Sequence, residues 1–105
     1  MSIDVNLNED LSTTFYHGRT VIGQTASQVV DRLIGGLTKG IQIKVGPTEK
    51  GVVYVGKDGV TKGTYASTDG MPFQSGEGLF LPIRDASEIY AISTKADTDV
   101  YWVAV

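Results

Sequence analysis

The sequence predicts an all-β fold, a small antiparallel β-sandwich or barrel, on three observations. Runs of β-branched and aromatic residues recur along the chain, most clearly in residues 39–55, KGIQIKVGPTEKGVVYV. There Ile41, Ile43 and Val45 alternate with Gln42 and Lys44, the period of a strand with one buried face. The 13 glycines exceed average usage and break these runs into short pieces, as turns between strands do. A length of 105 residues suits one domain able to bury a core without staples.

Taken in order, Ile3, Val5 and Leu7 alternate with Asp4 and Asn6. This predicts a short strand, or an arm that becomes a strand on a neighbouring subunit. Residues 8–14 are polar and read as loop. Phe15, Tyr16, Val21 and Ile22 surround Gly18, which predicts a second strand with a kink or bulge. Residues 1–24 therefore form an N-terminal arm and first strands, and residues 25–105 the sandwich core of a single domain. One short helix competes near residues 25–35. Val29, Val30, Leu33, Ile34 and Leu37 fall at helical spacing, Thr25 with Gln28 has the form of a capping box, and Gly35-Gly36 would end the helix. An irregular extended segment is the alternative, because the glycine pair interrupts the pattern before Leu37.

Val52, Val53, Tyr54 and Val55 follow without polar interruption, which suits a strand covered on both sides. With Gly46-Pro47 opening a five-residue join, residues 39–55 predict a β-hairpin. Lys57-Asp58-Gly59 is a turn, residues 60–66 another short strand, and residues 67–70 a second turn. Residues 71–78 are extended or looped, since Pro72 and two glycines oppose regular structure. Leu79, Phe80 and Leu81 form a compact strand closed by Pro82, and residues 85–88 turn. Residues 89–93 and 100–105 then make a closing pair joined through residues 95–99. The last strand is apolar on both faces, so it is paired centrally or buried against another subunit. Tyr101 and Trp102 point to opposite faces of it, and at least one of them needs cover.

The formal net charge of −3 and the scatter of nine basic residues argue against a nucleic-acid partner, because neutralising phosphates needs clustered Lys and Arg. The absence of cysteine removes disulfides, thiolate zinc sites and cysteine nucleophiles together. No apolar run approaches a membrane span and no secretory signal opens the chain, so a soluble protein without a membrane partner is expected.

Motifs that carry chemistry are weak. GVVYVGK at residues 51–57 has the front of a phosphate-binding loop, but Asp58 stands where Ser or Thr would hold magnesium, and the intervening residues read as strand. His17, the one histidine, has no motif supplying a nucleophile or an orienting acid. Asp58 and Asp69 beside their glycines, and Asp97 and Asp99, offer oxygens for calcium, yet turn conformation explains Asp-Gly without a metal. The expectation is no catalytic residue, no metal and no cofactor. Aromatics of the kind that stack on sugars sit mostly within β-runs, where core or cross-strand pairing is the ordinary explanation.

Residues 39–105 resemble a recurring module of tailed-bacteriophage structural proteins. The matching pieces, in order, are KGIQIKVG, GVVYVGKDGVT, MPFQSGEGLFLPIRDASEIYAIST and DVYWVAV. The resemblance implies a virion component made in the host cytoplasm: a capsid decoration (cement) protein that binds and stabilises the assembled head. The other readings are a head–tail or tail accessory protein and a fibre-type carbohydrate-binding module. It implies as partners the major capsid protein or another virion protein, and a homo-oligomer, with a trimer favoured. Leu79, Phe80, Tyr101 and Trp102 are the candidates for subunit or capsid packing, and Ile3, Val5 and Leu7 for a capsid-gripping arm. A small enzyme working through His17 is the rival of a different kind.

Overall fold

A computed structural model of the chain describes residues 15–30, 36–47, 50–64 and 67–105. Eight strands appear in these: β1 (Tyr16–Ile22), β2 (Ser27–Gln28), β3 (Ile41–Val45), β4 (Val53–Gly56), β5 (Met71–Phe73), β6 (Gly78–Leu81), β7 (Tyr90–Ser93) and β8 (Thr98–Ala104). They form two four-stranded antiparallel sheets, ordered β1-β8-β3-β6 and β2-β7-β4-β5. The fold is a β-sandwich, as the strand-dense sequence predicts. The strand β1 is an edge of the first sheet, so the sandwich begins before residue 25.

The core lies between the sheets and follows from alternation. In β3, Ile41, Ile43 and Val45 are buried while Gln42 and Lys44 are exposed. In β8, Thr98, Val100, Trp102 and Ala104 turn inward. β8 is the central strand that its apolar composition calls for, paired with β1 on one side and β3 on the other. Its end is tied as well: the Val105 carbonyl accepts from Lys39 and Gly40, and the Val105 N–H donates to the Gly40 carbonyl. Gly40 has φ 137°, and a side chain there would run into the Leu81 carbonyl.

Four expectations are corrected. Residues 39–55 are not a hairpin, because β3 and β4 lie in different sheets; the chain arches from one layer to the other. Residues 89–105 are likewise not a closing pair but an arch, β7 in the second sheet and β8 in the first. The two arches lie side by side. Thr94 N–H donates to the Val52 carbonyl at 3.0 Å, and Val52 N–H donates to Thr94 Oγ1 at 2.9 Å. At residues 25–30 the chain is not helical: Ser27–Gln28 pairs with β7, and Val29 N–H donates to the Ile89 carbonyl. Residues 31–35 lie outside the described residues. Residues 60–64, expected within a short strand, contain only an isolated bridge from Thr61 to Asp69. Of residues 71–78, expected as extended or looped, 71–73 are the extended edge strand β5.

Of the kink or bulge expected at Gly18, the bulge is absent. The register from Tyr16↔Ala104 to Ile22↔Thr98 runs without interruption. Gly18 faces Trp102 across the ladder, and a Cβ there would lie 2.6 Å from Trp102 Cζ2. The glycine makes room for an indole.

Candidate functional site

In an antiparallel sheet, residues directly opposite one another project from the same face. Because Val100, Trp102 and Ala104 face the core, the residues between them in β8 face outward. The registers then assemble the outer face of the first sheet. One row runs His17, Val103, Gln42 and Phe80; the next runs Arg19, Tyr101, Lys44 and Gly78; Val21 faces Asp99 beyond them. Phe80 is 48% exposed, Tyr101 45% and Val103 38%. His17, Gln42 and Lys44, with Tyr101 and Val103, line a shallow depression of about 280 Å³.

Tyr101 stands between two cations, Arg19 and Lys44. Arg19 Nη1 lies 3.0 Å from Asp99 Oδ1, the one ion pair among the described residues. Lys44 has no such partner among them. The face therefore combines an aromatic and aliphatic strip with a positive edge, on a chain whose net charge is negative. It is a rigid platform, since β8 and β3 behind it carry the buried Trp102 and Ile43.

The structure sorts the sequence candidates. Phe80 and Tyr101 meet on this face. Trp102 is corrected: it is 2% exposed and belongs to the core, so the cover it needs is intramolecular. Leu79 is half-buried and packs against the core rather than outward. Ile3, Val5 and Leu7 lie outside the described residues. Val103, Arg19 and Lys44 were not singled out as candidates, although the alternation in VYWVAV marks Val103 as a companion of Tyr101.

The remaining motifs resolve into structure. Val53–Gly56 of the phosphate-loop lookalike is β4, with its backbone in ladders to β5 and β7. Asp69 accepts from Thr61 Oγ1 at 2.6 Å, from Thr64 N–H at 2.9 Å and from Thr64 Oγ1, tying down the loop between β4 and β5. His17 sits in the depression with no carboxylate among its lining residues to orient an imidazole. Among the described residues no cluster of metal-binding side chains occurs, and no helix is long and apolar enough to cross a membrane. Compared with family models, curated proteins and solved structures, the chain finds no match.

Proposed function

We propose that this chain is a bacteriophage virion structural protein, a capsid decoration protein that binds the assembled head through the outer face of its first sheet. The observation that carries this reading is the alignment of exposed Phe80, Tyr101 and Val103 on one continuous face, backed by a packed core. Exposed aromatic side chains on a rigid support are the usual anchors of a protein interface. Its work is adhesion without turnover. Binding only the assembled lattice stabilises that lattice by mass action, and repetition around a symmetry axis adds avidity to a modest single contact. A homotrimer suits the three-fold positions of a shell and closed symmetry.

The test is co-sedimentation of the full chain with heads of the phage whose genome encodes it. Wild type is expected to bind; Tyr101→Ser combined with Phe80→Ser is expected to bind at least tenfold more weakly, because losing interface anchors of this kind costs about 2 kcal/mol or more. Equal binding by both proteins, or none by wild type, would overturn the proposal. A strict monomer by mass measurement in solution would remove its oligomeric part.

A fibre-type carbohydrate-binding role rests on a narrower observation. Tyr101 borders a shallow depression with Gln42 and Lys44 beside it, an aromatic platform with polar groups at its rim. Glycan-array binding abolished by Tyr101→Ala would favour that role over the head.

A further inference from the structure

Two Asp-Gly sequences occur in the chain, Asp58-Gly59 and Asp69-Gly70, and the fold treats them in opposite ways. An aspartyl side chain followed by glycine can close on its own backbone, the glycine nitrogen attacking the carboxyl carbon Cγ. The carboxyl must be free to swing onto that nitrogen, and the N–H must be free of other bonds. Glycine eases the step because no side chain shields its nitrogen.

Asp58-Gly59 meets both conditions. It is the tip of an exposed turn after β4, closed by Val60 N–H donating to the Lys57 carbonyl at 3.0 Å. Gly59 stands at φ 85°, with open space where a side chain would be. Among the described residues no hydrogen bond or ion pair reaches the Asp58 carboxylate, and the Gly59 N–H donates to no backbone carbonyl. Asp69-Gly70 fails both conditions. Its carboxylate accepts from Thr61 Oγ1 at 2.6 Å, from Thr64 N–H at 2.9 Å and from Thr64 Oγ1. The Gly70 N–H donates to the Thr61 carbonyl at 3.1 Å, and a Cβ on Gly70 would lie 2.6 Å from the Val55 carbonyl oxygen.

We propose that Asp58 is a site of spontaneous covalent modification, where the chain isomerises to isoaspartate while the fold keeps Asp69 intact. The Gly59 nitrogen bonds to Asp58 Cγ, the carboxyl hydroxyl leaves with the N–H proton as water, and a cyclic imide forms. Water then adds to either imide carbonyl, restoring aspartate or routing the main chain through Cβ. The step needs no oxidant and no cofactor. The product keeps its carboxylate but carries an extra methylene in the main chain, so the Lys57–Val60 turn loses its fit. Val60, buried beside Gly56 and Gly70, is loosened with it. The site follows β4 of the second sheet, so the first-sheet face stays exposed and the inference does not rest on the head-binding reading.

The full-length protein is aged for weeks at neutral pH and treated with a methyltransferase that labels only isoaspartyl carboxylates, and the labelled peptides are mapped. Label at residue 58 is expected several-fold above that at residue 69, with a minor species lighter by one water. Asp58→Glu keeps the charge but would close a larger ring far more slowly, so its label at residue 58 should vanish. Protein aged in concentrated guanidinium chloride, where both carboxyls and both N–H groups are released, should label alike at the two positions. No label at residue 58 in the native protein, or as much at residue 69, overturns the proposal. An undiminished preference for residue 58 in denaturant overturns the part played by the fold, since sequence neighbours alone would then set it. Ageing should lower the urea midpoint of wild type and not of Asp58→Glu; an unchanged wild-type midpoint overturns the loosening of the turn.

Discussion

Trp102 fills the space that Gly18 leaves, and this pair is the clearest one-residue dependence in the molecule. A Cβ on residue 18 would lie 2.6 Å from Cζ2 and 2.8 Å from Cε2 of the indole. Gly18→Ala should therefore destabilise the fold by about 1–3 kcal/mol, the usual cost of overpacking. Trp102→Ala should cost about 3–5 kcal/mol for the cavity it opens. In a Trp102→Phe background, Gly18→Ala should cost less than in wild type, a coupling that a double-mutant cycle of urea midpoints measures. Asp85 makes a second residue-level dependence. Its carboxylate accepts from Ser87 Oγ at 2.6 Å and from Ser87 N–H at 2.9 Å, capping the 3-10 turn Ala86–Glu88. The side-chain bond from Ser87, then its backbone N–H, holds the Asp85 carboxyl below its ordinary value of 3.8. A depressed native pKa means that the unfolded chain binds the proton more readily. The contribution is complete above 3.8 and is lost as pH falls through the native value. Asp85→Asn should flatten that acid limb of the stability curve and leave the limb near neutrality parallel to wild type.

Among the elements, the arch between β7 and β8 carries a polar device in an otherwise apolar setting. Ser93 and Thr98 are fully buried, with their hydroxyls 2.8 Å apart. Ser93 Oγ accepts from Lys95 N–H at 3.1 Å, and Thr98 Oγ1 donates to the Lys95 carbonyl at 3.0 Å. Asp97 completes the reversal at φ 55°. Closing the arch by side-chain bonds lets the chain leave one sheet and enter the other without orphaning buried backbone groups. Ser93→Ala strands two of these partners, and chemical denaturation should show a loss of about 1–3 kcal/mol. Thr61→Val, in the exposed loop tied to Asp69, should cost less because water can replace its bond.

For the whole molecule, the sequence-distant ends are held together by β1 and β8, from Tyr16↔Ala104 to Ile22↔Thr98. β8 also closes the first sheet on β3. Removing residues 103–105 takes away ladder partners of His17, Tyr16, Gln42 and Ile41, and the bonds of Val105 to Lys39 and Gly40. The truncated chain should lose its cooperative thermal transition, read by circular dichroism. Pairing of such high sequence separation also sets the folding time. Refolding is expected on a scale of about milliseconds to seconds, the range of β-sandwiches, as stopped-flow Trp102 fluorescence would show.

Period-two alternation marked the strand and faces of β3 in the amino-acid order alone, an unbroken apolar run marked β8 as a strand, and glycine and proline marked most of the breaks between strands. The all-β class followed from those local signals, whereas the apolar last strand left open central pairing or burial against another subunit, and left open which of Tyr101 and Trp102 is covered. Layer assignment did not follow from them. Two β-runs joined by a short polar stretch look alike whether the join is a hairpin or an arch, because both present turn-forming residues between apolar strands. The difference lies in which strand each run pairs with, and for β3 those partners are β6 and β8, far along the chain. Gly18 shows the same limit on a smaller scale: a glycine in a strand is consistent with a bulge or with a neighbour's bulk, and the neighbour is Trp102, brought opposite only by the tertiary ladder. Trp102 and Tyr101, adjacent in the chain, part company there, one filling the core and the other joining Phe80, Val103, Arg19 and Lys44 on a face assembled from four separate segments.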